Sequence, residues 1–340
     1  MNLPEQAMHY RDVAVLAPCL NEAATIAKVV SDFVRALPGC RVYVYDNAST
    51  DRTAERAREA GATVRFEPVP GKGGVLRRMF AEIEAAVYVI VDGDSTYDAA
   101  RAPELVAAIA LEGFDMMTAV RDNAGDAQVY RRGHRFANRM FNWLLWVFFG
   151  QRPKDMFSGY RALSRRFVKS FPASAHGFEI ETELTVHALQ MRVPCAETVT
   201  RYFARPRGSA SKLRSYRDGV RILAFMVFLF RDVRPFAFFG IIGVILLIAA
   251  FALGSPVIVE YERTGLVPRL PTAVLATGLV LLSWLSIVCG FILDSVSRGR
   301  LEAKRLAYLA VSARFMPAVS DLGNGSVPAD KARTGQATRC

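Results

Sequence analysis

Cysteine is scarce and scattered: Cys19, Cys40, Cys195, Cys289 and Cys340 form no C-x-x-C pair, and the chain has only four histidines. Neither a disulfide framework nor a structural zinc site is expected. A G-x-x-x-x-G-K-[ST] loop is also missing. The nearest segment, Pro68-Val69-Pro70-Gly71-Lys72-Gly73-Gly74, follows its lysine with glycine, so it can cradle phosphate but does not support a P-loop ATPase. No G-x-G-x-x-G follows the first apolar run, where PCLNEAA stands instead, and dinucleotide-dependent hydride transfer loses its case. The opening residues MNLPEQAMHYRD carry acidic and polar groups before any apolar run, unlike a cleaved signal peptide, so the N-terminal part is expected to stay in the cytosol.

Charge is absent from two stretches. Pro235–Val259 has no Asp, Glu, Lys or Arg over twenty-five positions, and Leu270–Leu293 has none over twenty-four. Each exceeds the ~20 residues that cross the hydrocarbon core of a bilayer. Two transmembrane helices, about 236–258 and 271–293, are the expectation. Arg214, Arg217, Arg221, Arg231 and Arg234 precede them and Arg298, Arg300, Lys304 and Arg305 follow, whereas the connection balances Glu260 and Glu262 against Arg263 and Arg269. The positive-inside rule puts both flanks in the cytoplasm.

The whole chain is 52% hydrophobic and 22% charged, with a net charge of +11. Residues 1–235 carry +7, 236–294 carry −1 and 295–340 carry +5, so the excess brackets the hairpin. That distribution suits anionic headgroups and phosphate ligands, and it argues against a nucleic-acid partner. Ile222–Phe230, apolar between Arg221 and Arg231, is too short to span and reads as part of an interfacial helix over 216–234. The tail, 295–340, is expected to be cytoplasmic and basic, and disordered from Asp321.

Between Val13 and Val120, short β-type runs (VAVLA, RVYVY, TVRFE, VYVIV, DMMTAV) alternate with helical segments, which predicts a mainly parallel α/β sheet covered by helices. Ligands of such sheets bind beyond the carboxyl ends of the strands. Those ends hold Pro18, Asn21 and Glu22; Asp46, Asn47 and Ser49; and Asp92-Gly93-Asp94. With Lys72 they form the candidate ligand-binding site. Asp92 and Asp94, one small residue apart, supply hard oxygen ligands for Mg²⁺ or Mn²⁺.

As a set, APCLNEAATI, DNASTDRTAE, PGKGG, VDGDSTYD, DMFSGYRALSRR, GFEIETEL and RPRGSASKL, followed by a membrane hairpin, resemble the family 2 glycosyltransferases, and within them the polyprenyl-phosphate glycosyltransferases similar to dolichol-phosphate mannose synthase. The resemblance spans Val13 to Leu293. It implies the nucleotide-sugar-binding glycosyltransferase A-type fold over 1–215, with Asp46 reading the nucleobase, Asp92 near the ribose or diphosphate and Asp94 binding the metal. Arg205, Arg207, Ser211 and Lys212 match the segment that closes over the diphosphate, and Arg121, Arg131, Arg132 and Arg139 match the grip on a lipid phosphate. Two positions depart: Thr96 stands where relatives often have Gln, and Ser158 where they often have Cys. The third metal ligand and the sugar specificity therefore do not carry over.

The expected activity is inverting transfer of one sugar from a UDP- or GDP-linked donor to a polyprenyl phosphate such as undecaprenyl phosphate. It would occur at the cytoplasmic face of a bacterial inner membrane, with both termini in the cytoplasm. Asp92, Asp94, Arg121 and Asp155 are the candidate catalytic residues, and Asp155, Glu179 and Glu181 could orient donor hydroxyls or acceptor-binding arginines. Another membrane glycolipid acceptor, or a non-catalytic adaptor keeping the fold, are the alternatives. A homo-oligomer is compatible with the resemblance.

Overall fold

The computed structural model describes residues 10–122, 153–177, 179–204, 215–312 and 338–339, with a few positions between 143 and 150. Strand β1 (Val13–Cys19) is buried on both sides, as a central parallel strand should be. β2 (Arg41–Asp46) and β4 (Val87–Ile90) flank it in parallel, and β3 (Thr63–Phe66) continues beyond β2. The register pairs Cys19 with Asp46 and Leu16 with Ile90, so all three connections that follow these strands leave from one edge.

Helices α1 (Ile26–Ala36), α2 (Thr53–Glu59), α3 (Lys72–Glu82) and α4 (Ala102–Ala110) cover the sheet. In α1, Ile26, Val29, Val30 and Phe33 are buried at helical spacing, so one stripe meets the core.

The sheet is mixed. After β5 (Met116–Asp122) the chain returns as β6 (Arg161–Ser164), which inserts antiparallel between β4 and β5, while β7 (Cys195–Arg201) lies parallel to β5. The order is β3-β2-β1-β4-β6-β5-β7-β8, with β8 (Thr338–Arg339) antiparallel on the edge. Four residues of β6 are too few to show alternation, and this reversal has no clear signal in the amino-acid pattern. Helices α5 (Arg165–Ser170) and α6 (Ile180–Met191) complete this half.

The chain divides into two compact units, residues 1–220 with 304–340, and residues 221–303. The second contains most of α7 (Ser215–Val233), all of α8 (Pro235–Thr264) and α9 (Leu270–Ala310) up to residue 303. α8 and α9 are long and apolar enough to cross a membrane, and little of either is buried. Phe251, Leu281 and Trp284 are each more than 60% exposed, which a core helix of a soluble protein would not show.

Buried positions along the hairpin recur every seven residues: Gly243, Ala250 and Val257 on α8, and Ala276, Ser283, Gly290 and Ser297 on α9. Small residues at heptad spacing let two helix backbones approach closely. A Cβ on Gly290 would lie 3.2 Å from Phe239 Cβ, and Ser283 Oγ donates to the Gly243 carbonyl at 2.8 Å.

α9 continues as helix to Ala310, well past the expected span end near 293, because Leu301 to Ala310 holds only residues compatible with a helix. Its last turns belong to the first unit, where Tyr308 donates to buried Asp115 at 2.7 Å. The segment expected to be disordered, Asp321–Cys340, lies outside the described residues except for β8.

Candidate active site

Three non-glycine residues with left-handed backbone stand at this sheet edge: Asn21 after β1, Ala48 after β2 and Ser95 after β4. Such conformations cost of order 1–3 kcal/mol and persist where the surroundings impose them. Side chains of the turns supply that constraint. Asn21 Oδ1 accepts from Thr50 N at 2.7 Å, and Asn21 N donates to Ser49 Oγ at 2.9 Å. Glu22 N donates to Thr53 Oγ1 at 2.8 Å. Asp46 is buried and accepts from Ser49 N at 3.2 Å. Pro18 sits in β1 opposite Tyr45.

Asn47 ties the second turn to the glycine-rich loop. Its Nδ2 donates to the Glu67 and Val69 carbonyls at 3.0 and 2.7 Å, and its Oδ1 accepts from Gly71 N at 2.8 Å. Gly93 closes the Asp-Gly-Asp turn over β1: its carbonyl accepts from Thr25 Oγ1 at 2.7 Å, and a Cβ there would lie 2.6 Å from Cys19 Sγ. Asp94, 2% exposed, accepts from Thr96 Oγ1 at 2.6 Å. Thr96 thus braces the carboxylate.

Lys72, the first residue of α3, joins the Asp-Gly-Asp turn to α6. Its Nζ donates to Asp92 Oδ1 and to Glu181 Oε1, both at 2.5 Å, with Lys72 and Glu181 side chains each 8% exposed. Burial works against the ammonium, but the two carboxylates outweigh it and push the Lys72 pKa up. Burial raises Glu181 despite Lys72 beside it. Glu181 Oε2 has no hydrogen-bond partner among the described residues.

A second layer places the start of α3, which carries Lys72. Glu183 accepts from Ser174 N and Ala175 N at 2.9 and 2.8 Å, and Gly73 N donates to the next carbonyl, His176 O, at 3.1 Å. Gly73 has to be glycine, because an added Cβ would run into the Ala175 carbonyl.

Arg121, near the end of β5, is gripped bidentately by Asp155, Nε to Oδ2 at 2.6 Å and Nη2 to Oδ1 at 2.8 Å. Burial pulls the Asp155 pKa upward, but the Arg121 charge and hydrogen bonds outweigh it and hold the carboxyl below its usual range. The guanidinium lies 5.5 Å from the Tyr202 ring centroid, and Tyr202 packs on Tyr97 at 5.3 Å. Tyr97 Oη accepts from Gly159 N at 2.9 Å, and a Cβ on Gly159 would lie 2.5 Å from Asp92 Oδ2. Two aromatic rings and one glycine therefore connect the Arg121–Asp155 pair to the Asp-Gly-Asp turn.

Ser158 is buried and donates to the Ala119 carbonyl at 2.6 Å, a structural role. Buried Arg161 holds the preceding turn, donating to the Ser158 and Met156 carbonyls at 3.0 and 2.8 Å and to Thr185 Oγ1 at 2.9 Å. Arg131, Arg132 and Arg139, and Arg205, Arg207, Ser211 and Lys212, lie outside the described residues. The reading of single segments missed the Lys72–Glu181 contact, the Glu183 brace and the Tyr97–Tyr202 layer. Their partners are distant in the chain, and only the paired glycines Gly71 and Gly73 hinted at a close approach.

The described residues hold no cluster of three or more His, Cys, Asp or Glu placed to bind a metal. Asp92 and Asp94 are the residues that could hold a divalent cation, with phosphate and water completing its shell, although Asp92 Oδ1 here accepts from Lys72 Nζ. Carboxylate oxygen is the hard donor that Mg²⁺ and Mn²⁺ prefer.

The mixed sheet and the polar crevice at its carboxyl edge define an α/β enzyme of the glycosyltransferase A type. The model of glycosyl transferase family 2 matches residues 14–171. Glycosyltransferase AglJ of Haloferax volcanii is 34% identical over 253 residues, 74% of this chain and 82% of that protein. Dolichyl-phosphate hexose transferase of the same organism is 27% identical over 213 residues, 63% and 91% of the two chains. Mycobacterium tuberculosis glucosyl-3-phosphoglycerate synthase, solved with Mn²⁺, UDP and phosphoglyceric acid, is 25% identical with a TM-score of 0.53, covering 64% of this chain and 78% of that one. The chain belongs to family 2 of the glycosyltransferases.

Proposed function

We propose that the protein is a membrane-anchored inverting glycosyltransferase that moves one sugar from a nucleotide sugar to a polyprenyl phosphate at the cytoplasmic face of a bacterial inner membrane. The observation that carries the reading is the pairing of Arg121 with Asp155, joined through Tyr202, Tyr97 and Gly159 to the Asp-Gly-Asp turn: a cation held in a fixed orientation near the candidate donor site, where an acceptor phosphate would be gripped. The apolar hairpin and the dolichyl-phosphate hexose transferase relative support a lipid acceptor, and the relative solved with UDP and Mn²⁺ supports a nucleotide-sugar donor.

In this mechanism Asp46, Asn47 and the Asn21–Ser49 turn receive the nucleoside. Asp92 and Asp94 would hold a divalent cation, which would supply charge neutralisation for the departing diphosphate. Lys72 holds Asp92 in place, and Arg121, fixed by Asp155, holds the acceptor phosphate. An acceptor phosphate oxygen forms the new bond to the anomeric carbon from the face opposite the leaving diphosphate, whose C–O bond breaks with its electron pair going to the diphosphate. That phosphate is already ionised near neutral pH, so no general base is required. The chain's contribution is alignment and electrostatic stabilisation.

The test is incubation of the purified full-length protein and Mn²⁺ or Mg²⁺ with undecaprenyl phosphate and a panel of radiolabelled nucleotide sugars. Label should pass to lipid from at least one donor. Asp94→Ala should abolish transfer while the protein still sediments with membranes. Full activity of that variant would remove Asp94 from the metal site, and no lipid product from any donor would overturn the acceptor.

A further inference from the structure

A pocket of about 240 Å³ lies within the hairpin unit, where the end of α7 and the start of α8 meet α9. Arg231, Asp232, Ser297 and Arg300 form its polar wall, and Phe239 and Leu293 its apolar one. The polar wall is held in place: Arg300 Nη1 donates to Asp232 Oδ1 at 2.5 Å, and Ser297 Oγ donates to the Asp232 carbonyl at 2.9 Å. Arg231 lies 4.8 Å from the Phe228 ring centroid and makes no ion pair with a described residue. The three charged side chains of the pocket thus sum to +1.

We infer that this pocket binds the headgroup phosphodiester of an anionic glycerophospholipid, with the glycerol and first acyl carbons on Phe239 and Leu293. The inference rests on the reading of α8 and α9 as membrane-spanning. A basic pocket between spanning helices on the cytoplasmic side is where anionic headgroups bind. The charge selects among lipid phosphates. A phosphodiester carries one negative charge and balances the pocket, whereas a phosphomonoester carries ≈ −1.5 to −2 and would leave excess negative charge beside Asp232. This site is separate from the one proposed for the acceptor phosphate, which rests on Arg121 held by Asp155 in the first unit.

The experiment follows the melting temperature of full-length protein in an uncharged detergent while phosphatidylcholine, phosphatidylglycerol, phosphatidic acid or inorganic phosphate is titrated in. Phosphatidylglycerol should stabilise at the lowest concentration, phosphatidic acid and phosphatidylcholine at higher ones, and inorganic phosphate not at all in that range. Arg231→Gln should weaken phosphatidylglycerol by about five-fold, one cation's share at a membrane surface. Asp232→Asn should strengthen binding of both anionic lipids and favour phosphatidic acid more. These opposite signs cannot both come from loss of folding. Equal stabilisation by phosphatidylcholine and phosphatidylglycerol, tighter binding of phosphatidic acid to the unaltered protein, a matching effect of inorganic phosphate, or indifference to both substitutions would overturn the inference. Failure of the membrane reading shows separately, as protein that stays soluble without detergent and ignores vesicles of every composition.

Discussion

At the residue scale the site is a set of charges held by other charges. Asp155 is 4% exposed and faces the Arg121 guanidinium, so its worth lies in orientation as much as in field. Asp155→Asn keeps the shape but leaves Arg121 without its anion. Transfer should fall at least about ten-fold, mainly through KM for the acceptor, with a stability loss of ~1–3 kcal/mol for a half-satisfied buried pair. Steady-state kinetics with varied acceptor, alongside a denaturation curve, checks both. His187 offers a pH test away from the site. Burial, with a contribution from the Lys304 charge, drops its pKa to about 3, and its ring packs between Phe167 and Phe171. The folded state holds it neutral while the unfolded chain takes up a proton below about 6.5. Its stabilisation is full above that value and is lost as pH falls, by about 2 kcal/mol between pH 7 and pH 5. Denaturation of the unaltered protein and of His187→Phe at both values should show the slope in the first and a flatter response in the second.

At the element scale, close backbone approach recurs in both units. The loop before α3 is pressed against residues 174–176, which Glu183 of α6 holds by two backbone hydrogen bonds. Gly73→Ala forces carbonyl and loop apart, since backbone on the facing side cannot swing away as a side chain would. We expect a cost of roughly 1–3 kcal/mol and a raised donor KM, because Lys72 moves with the loop. Donor titration by intrinsic fluorescence would detect it, and unchanged affinity would disconnect this packing from the donor site. In the hairpin, Gly290 plays the equivalent role against Phe236 and Phe239. Gly290→Val should lower the melting temperature in detergent without altering the catalytic constants of the surviving folded fraction, and Gly278→Val, with no heavy atom within 4 Å of its added Cβ, should do neither.

At the scale of the whole molecule, the basic flanks and the neutral connection set the expected topology. A single cysteine placed at Gly265, between α8 and α9, in an otherwise cysteine-free protein should react with an impermeant maleimide from outside intact cells. One placed at Ser312 should react only after lysis. The reverse pattern would invert the orientation and put the sugar-transfer domain on the wrong side for a cytoplasmic nucleotide sugar. The end of α9 adds a feature that hydropathy alone does not suggest. Beyond the apolar stretch it belongs to the catalytic unit, through Tyr308 on Asp115, Arg166 stacked 4.8 Å from the Tyr308 ring centroid, and Lys304 Nζ donating to Gln190 at 2.9 Å.

By itself, the sequence determined what depends on local pattern. The first five strands and the helices between them follow from alternating apolar runs, the hairpin follows from two uncharged stretches, and the carboxyl-edge clusters follow from where strands end. Family membership was legible in the same motifs. The tertiary structure alone decided what depends on distant partners: the reversed β6, the capture of Arg121 by Asp155, the reach of Lys72 to Glu181 more than a hundred residues away, and the return of Tyr308 to Asp115. The physical reason is range. Periodicity and turn chemistry act over a few residues and are written in neighbours, whereas a buried ion pair or a glycine pressed on a carbonyl is set by which surfaces the folded sheet brings together.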